Sequence, residues 1–262
     1  MPRIHPTAQV DPRAEIEEGV VIGPYCVIGP EVRIGKNTIL KSHCVIAGPT
    51  IIGERNEIGP FVTLGEAPQH LAYRNEPTRL VIGDENVIRE YVSVHRGTML
   101  DQGETKIGNR CYLMAYTHVG HDCILEDEVI LTNATHLGGH VRVGSGAVFG
   151  GGAFVHQFCR IGELAFISGM TGVDKDVPPF FRVFGIPARI AGLNLVGLKR
   201  RGFSSEDLRQ LSKALKIYLQ EATLDEVIRE IRTRLGEEGP LAALLSFLEA
   251  PSRRGCVRKK LT

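Results

Sequence analysis

Two histidines three residues apart, His118 and His121, are followed directly by Asp122 in the stretch HVGHDC. An imidazole beside a carboxylate can act as a general base whose tautomer and developing charge the carboxylate controls. The same residue types can ligate zinc, through His118-x-x-His121 or through His136-x-x-x-His140 further along. A third reading is a set of solvated surface histidines, which suits His136 better than His121. Choosing among them requires knowing what the surrounding chain does with these positions.

The surrounding chain is periodic. An aliphatic residue recurs every six positions at Val10, Ile16, Ile22, Ile28, Ile34, Leu40, Ile46, Ile52, Ile58 and Leu64, usually followed by glycine. The phase breaks in EAPQHLAYRNEPTR, returns at Ile82, Ile88 and Val94, and breaks again through MLDQGETK. It then holds from Ile107 through Val119, Leu137 and Val155 to Val173. Such a hexapeptide repeat predicts a parallel β-helix, in which three short strands make one triangular coil of about 18 residues and coils stack about 4.8 Å apart. The aliphatic and the small residue four places on point inward, and the glycines are expected to make the tight corners. The repeat resembles that of left-handed β-helix proteins, an exception to the usual right-handed crossover.

In an unbroken run, residues 18 apart therefore lie above one another. Gly139 falls over His121, His140 over Asp122 and His136 over His118. A glycine over the imidazole leaves that face open and offers a backbone N–H to a carbonyl oxygen, an arrangement suited to acyl transfer. Contact between His121 and Asp122 requires a bend, since neighbouring strand residues point to opposite faces. The glycine of VGHDC is the expected source of that bend. His95 in SVHRGT, and His156 and Gln157 in VHQFCRIG, fall on flanking coils and fit a substrate groove.

The two interruptions, 66–79 and 99–106, must leave the coil, and such loops often carry function. After Val177 the period gives way to helical patterning. Ser204 or Ser205 can cap a helix with Leu208, Leu211, Leu215 and Tyr218 on one face. Thr223 and Glu226 form a capping box, Gly236 ends that helix, and LAALLSFLEA reads as another. The expected architecture is mainly β: a β-helix over 1–186, then a helical domain over 187–262 that caps its open end. The basic RRGCVRKK near the C-terminus reads as a solvated end.

Composition narrows the function. A formal net charge of +1 over 262 residues gives no global argument for nucleic acid or an anionic membrane. No segment approaches the roughly 18 consecutive apolar residues of a membrane span, and MPRIHPTAQV lacks a signal-peptide core. The cysteines (Cys26, Cys44, Cys111, Cys123, Cys159, Cys256) include no CxxC pair, which reads most simply as a reduced cytoplasmic protein.

With the repeats, HVGHDC, VHQFC, DVPPF and GLKRRGF together, nearly the whole chain resembles the UDP-N-acetylglucosamine 3-O-acyltransferases that open lipid A biosynthesis in Gram-negative bacteria. The resemblance implies a homotrimer with sites between subunits, no cofactor or metal, a 3-hydroxyacyl thioester of acyl carrier protein as donor and UDP-N-acetylglucosamine as acceptor. It implies His121 as general base, Asp122 as its orienting partner and the Gly139 amide in the oxyanion hole. His95, His118, His140, His156 and Gln157 match positions that contact substrate or support the site. Asn194 and Arg200 match nucleotide- and phosphate-contacting positions, with Arg201 beside them, and the KRR cluster independently suits phosphates or an acidic carrier protein.

Gly169 in FISGMTG matches a position where side-chain size helps set acyl length; a plain corner glycine is the competing reading. The sequence departs from the family's Q-D-L-K-Y loop: Gln69 is retained, but His70 and Ala72 replace the acid and the lysine. Val196 replaces a common glutamate. These changes raise a second acceptor, a 3-amino analogue acylated at nitrogen. A γ-carbonic-anhydrase-like zinc enzyme is the alternative from a different class.

Overall fold

A computed structural model describes residues 1–260. Consecutive strands of mostly two residues visit three sheets in turn: Arg3–Ile4 begins the first, Gln9–Val10 the second and Glu15–Ile16 the third, before Val21–Ile22 returns to pair beside Arg3–Ile4. The result is a left-handed parallel β-helix with faces of eleven, nine and eight strands. Its core is the aliphatic column read from the repeat, with Ile22, Ile34, Leu40, Ile58 and Leu64 each at most 1% exposed and Cys26, Cys44 and Val62 filling the second inward position. Inward side chains at two of every six positions bury apolar surface with few aromatics, which is why a chain without tryptophan can build a long core.

The corners differ from the expectation that glycines make them. The left-handed corner residues are mostly not glycine: Tyr25, His43, Phe61, Tyr91 and Tyr116 have φ of 58°, 60°, 58°, 61° and 63°. Their rings stack from coil to coil, with centroids 4.7–5.1 Å apart, which helps offset a conformation costing about 1–2 kcal/mol per residue. The glycine after each aliphatic serves close approach instead. At Gly35 an added Cβ would lie 2.7 Å from the Gly53 carbonyl carbon of the next coil.

The interruptions shift the register without breaking the stack. Across the first, Asn86 lies 30 residues beyond its neighbour Asn56; across the second, His118 lies 25 beyond Ser93. Thr63–Glu66 and Arg79–Ile82 bracket the first loop. The second leaves the coil after His95 and rejoins it at Glu104, so residues 104–106, expected in the loop, are strand: Glu104–Ile107 pairs with Arg79–Ile82, with Thr105 buried in the core.

The expected boundary at residue 186 falls inside a hairpin. Phe181–Phe184 continues the eleven-stranded face in parallel, and Arg189–Leu193 then pairs with it antiparallel. Phe181 and Val183 are fully buried, so this hairpin closes the coil before any helix begins. Among the described residues four helices follow: α1 (Leu195–Arg200), α2 (Ser205–Tyr218), α3 (Leu224–Leu235) and α4 (Pro240–Glu249). Ser204 caps α2 through a capping box with Asp207, Thr223 caps α3 with Glu226, and Gly236 ends α3 at φ 86°. The six-residue α1 is too short to show a helical period in the sequence. Tyr218 of α2 meets Phe181 edge-on at 5.2 Å, fixing the helices on the coil's end.

The C-terminal segment is not a solvated end. Cys256 and Val257 are buried, Asp176 N–H donates to the Gly255 carbonyl and Val257 N–H to the Asp176 carbonyl. The apolar pair inside the basic run carries it back onto the coil. Its edge strands are thereby covered, as an exposed sheet edge requires. All six cysteines are free and buried. Among the described residues no helix is long and apolar enough to cross a membrane.

Candidate active site

His121 and Asp122 occupy the corner between strand His118–Val119 of the nine-stranded face and strand Ile124–Leu125 of the eight-stranded face. The bend is at Asp122 itself, with φ 59°, rather than at Gly120. Gly120 is required for close approach, since a Cβ there would lie 2.9 Å from the Gly139 nitrogen. The turn folds the carboxylate back on its neighbour, putting Asp122 Oδ2 2.7 Å from His121 Nδ1.

Asp122 is 2% exposed, and its carboxylate accepts from His121 Nδ1 and twice from Thr98. Thr98 N–H donates to Oδ1 at 2.8 Å and the Thr98 hydroxyl to Oδ2 at 2.7 Å, while Asp122 N–H donates to Thr105 Oγ1 at 2.8 Å. Burial alone would raise its pKa, but the bonds from His121 and Thr98, with the charge of His140, together hold it below the usual carboxylate value. An ionised Asp122 requires the proton of His121 on Nδ1, leaving Nε2 as the acceptor.

Gly139 stacks over that ring as the repeat predicted. A Cβ at 139 would come within 2.6 Å of His121 Cε1 and 2.8 Å of Nε2, so only glycine leaves the imidazole in place. The Gly139 N–H has no acceptor among the described residues. Next to it, His140 Nε2 lies 3.6 Å from Asp122 Oδ2, and the His140 ring meets His121 edge-on at 5.1 Å and stacks on Phe158 at 4.5 Å.

His121, Asp122 and His140 each offer a ligand atom within 4.8 Å of the others. This is not either pair considered for zinc. His118 lies in the strand, its Nδ1 2.8 Å from the Ser93 hydroxyl, and His136 stacks over it with rings 6.3 Å apart. Asp122 Oδ2, which lies 3.6 Å from His140 Nε2, already accepts from His121 Nδ1 and from the Thr98 hydroxyl.

The other histidines line the same wall. His95 is 7% exposed and meets His118 edge-on at 5.1 Å. Burial, then the neighbouring imidazoles of His95, His136 and His121, push His118 down to about 4. Burial also lowers His95, against the opposing charge of Glu66. His156 and Gln157 are exposed on the next coil, where Phe158 N–H donates to the Gly139 carbonyl. Gln69 is exposed in the first loop, and its neighbour His70 lies edge-on to His121 at 5.4 Å.

The remaining predicted residues lie elsewhere in this chain. Gly169 sits on the edge between the eleven- and nine-stranded faces. It is not the left-handed corner residue, which is Met170 at φ 55°, and a Cβ at 169 would meet only Gly151, at 3.2 Å. Asn194 is buried and structurally engaged, capping α1 through Gly197 N–H and donating to the Leu164 carbonyl at 2.9 Å. Arg200 and Arg201 end α1; Arg201 pairs with Glu128, on the edge between the eight- and eleven-stranded faces. The predicted set thus lies on three different edges of one triangular prism.

Sequence reasoning missed Thr98, Thr105 and Ser93. Thr98 and Ser93 precede the second interruption, which lengthens the coil and hides their alignment with Asp122 and His118; Thr105 falls inside the break in the period, where the sequence carries no register.

The chain compares closely with known proteins. Residues 176–257 match the family model described as UDP-N-acetylglucosamine O-acyltransferase, domain 2, and residues 2–103 match one described as the GMPPB C-terminal domain. A protein of Halorhodospira halophila named acyl-(acyl-carrier-protein)–UDP-N-acetylglucosamine O-acyltransferase is 48% identical, covering 98% of this chain and 100% of that one. One of the same name from Thiobacillus denitrificans is 47% identical at the same coverage. The solved structure of LpxA from Acinetobacter baumannii superposes with TM-score 0.94 at 43% identity, over 97% of this chain and 99% of that one. Full-length identity at this level, on the fold and motifs described, places the chain in the acyl-(acyl-carrier-protein)–UDP-N-acetylglucosamine O-acyltransferase family.

Proposed function

We propose that the protein moves a 3-hydroxyacyl group from the thioester of acyl carrier protein to the 3-hydroxyl of UDP-N-acetylglucosamine, the first step of lipid A biosynthesis, with His121 as general base. The observation that carries this reading is the 2.7 Å contact of His121 Nδ1 with a buried Asp122 beneath a glycine that leaves the ring uncovered. The sugar hydroxyl gives its proton to His121 Nε2 as its oxygen attacks the thioester carbonyl. The oxyanion takes the Gly139 N–H, the carbon–sulfur bond breaks, and the imidazolium returns the proton to the leaving thiolate. Asp122 holds the tautomer and stabilises the imidazolium. The step balances without a cofactor or metal.

His95, His118, His140, His156, Gln157 and Gln69 form or support the acceptor's wall. Asn194, Arg200 and Arg201 serve the nucleotide, and Gly169 leaves room for a long acyl chain. Their placement on three edges of one prism supports a homotrimer, in which an edge of one subunit faces a different edge of the next. Six free thiols support a reducing, cytoplasmic location.

His70 beside His121 favours a second reading, N-acylation of a 3-amino analogue, because the departure from the family loop lies at the base itself. Purified protein is incubated with both UDP-sugars and 3-hydroxyacyl carrier proteins of mixed length, and products are weighed by mass spectrometry. The expected product is the 3-O-ester; preference for the amine replaces the first reading with the second. His121→Ala lowers turnover by about 10²–10⁴-fold with an unchanged melting temperature. Near-normal turnover in that variant removes His121 from the mechanism.

A further inference from the structure

The first loop is tied to the coil by one side chain from the root of the second. Arg96 directly follows strand Ser93–His95 of the nine-stranded face and is half-buried. Its guanidinium holds the coil and the loop together. Nη1 donates to the Gly48 carbonyl at 2.7 Å and to the Gly65 carbonyl at 3.2 Å, while Nε donates to the Tyr73 hydroxyl at 3.0 Å. The guanidinium carbon also lies 5.7 Å from the centre of the Tyr73 ring. Where the loop leaves its strand, Arg96 N–H donates to the Glu66 carbonyl at 3.1 Å. A planar fork of fixed donors can serve acceptors in several directions at once, which an ammonium on a flexible stem cannot reproduce.

Tyr73 passes this hold to the part of the loop that faces the base. Its hydroxyl donates to the Glu76 carbonyl at 2.9 Å, and its N–H closes a turn on the His70 carbonyl at 3.0 Å. Between them Leu71 and Ala72 are exposed, so they add no apolar burial to fix the turn. The turn is nevertheless where His70 lies edge-on to His121, at 5.4 Å.

The other side of Arg96 leads to the same imidazole. Two residues on, Thr98 donates twice to Asp122, which bonds His121. A circuit closes: Arg96 through Thr98 and Asp122 to His121, and Arg96 through Tyr73 to the turn that carries His70 back to His121.

We propose that Arg96 and Tyr73 form a clasp that positions the first loop for the acceptor sugar. Neither residue touches the reacting atoms; both act through Gln69 and His70, whose backbone the clasp sets against the base. This rests on the acyl-transfer reading above.

The test separates the two substrates. Tyr73→Phe keeps the ring beside the guanidinium and removes only the hydroxyl. KM for UDP-N-acetylglucosamine is expected to rise on the order of tenfold, the scale of a lost hydrogen bond to a charged group, while KM for the acyl carrier protein donor stays within about twofold of wild type. Arg96→Lys keeps the charge, loses the fork and gives the same selective rise. The double variant is no worse than Arg96→Lys alone, because the two residues share one interaction. General damage to the fold would instead raise both KM values together. An unchanged sugar KM in Tyr73→Phe, equal rises for both substrates, or a double variant whose effect is the product of the singles overturns the clasp and leaves acyl transfer standing. A wild-type protein that transfers no acyl group to either UDP-sugar overturns the acyl-transfer reading, and the clasp's role with it.

Discussion

Thr98 donates twice to Asp122, its N–H to Oδ1 at 2.8 Å and its hydroxyl to Oδ2 at 2.7 Å. The carboxylate that orients His121 is thus held by the residue at the root of the second loop, so the loop and the catalytic corner are one structural unit. Thr98→Val removes a bond to a charged group and lowers kcat by on the order of tenfold, with KM for the sugar little changed. It also raises the pKa of folded Asp122. A depressed carboxylate stabilises the fold above its unfolded pKa of about 3.9 and loses that contribution as pH falls through its folded value. Acid unfolding of Thr98→Val therefore begins at higher pH than that of wild type, as circular dichroism against pH will report.

Gly139→Ala tests the open face of the base. The backbone at 139 is not left-handed, so alanine is conformationally acceptable there, and the nearest atoms to the new methyl are those of the imidazole ring, at 2.6–3.1 Å. Displacing a base by about 1 Å costs on the order of 10²-fold. The expected result is that loss in kcat with a melting temperature within a few degrees of wild type. Full activity would mean that the ring is free to move, and that its position is not what Gly139 protects.

His118 makes a pH signature distinct from that of Asp122. Its pKa of about 4 lies below the unfolded histidine value of about 6.5, so the unfolded chain binds more protons between those pH values. Stability conferred by keeping His118 neutral is complete above pH 6.5, declines as pH falls from there, and levels off below pH 4. Urea unfolding of wild type and His118→Gln at pH 7.5 and pH 5 measures it: wild type loses more stability over that interval. Equal losses would place the acid sensitivity elsewhere on the wall, at His95 first, since burial lowers it too.

The end of the coil depends on a buried ion pair. Asp176 is fully buried and accepts Arg160 N–H at 2.8 Å and Arg160 Nε at 2.7 Å, while its backbone holds Gly255 and Val257. Removing one partner of such a pair costs about 3–5 kcal/mol. Arg160→Ala is expected to lower the urea midpoint accordingly and to expose the segment after residue 250 to protease before the rest of the chain unfolds. Unchanged cleavage would show that Cys256 and Val257 hold the segment without the pair.

The sequence by itself determined the coil. A six-residue period is a local, repeated instruction, so it stated which residues point inward and, within an unbroken run, which residue lies over which: Gly139 over His121 and His136 over His118 followed by counting. The caps at Ser204 and Thr223 were equally local, each readable from one short segment. Family likeness added roles to residues the repeat had already brought together.

Only the tertiary structure decided the rest, because a break in the period carries no register. The path of the second loop sets Thr98 on Asp122 across 24 residues, and counting by eighteen cannot find that contact. The bend at Asp122, rather than Gly120, depends on stacked corners sharing the cost of a left-handed backbone. The buried Cys256 and Val257 overrule the charge around them, because the open end of the coil needs a cover. The placement of His121, Gly169 and Arg201 on three separate edges follows from closing the coil into a triangle, a property no single repeat contains.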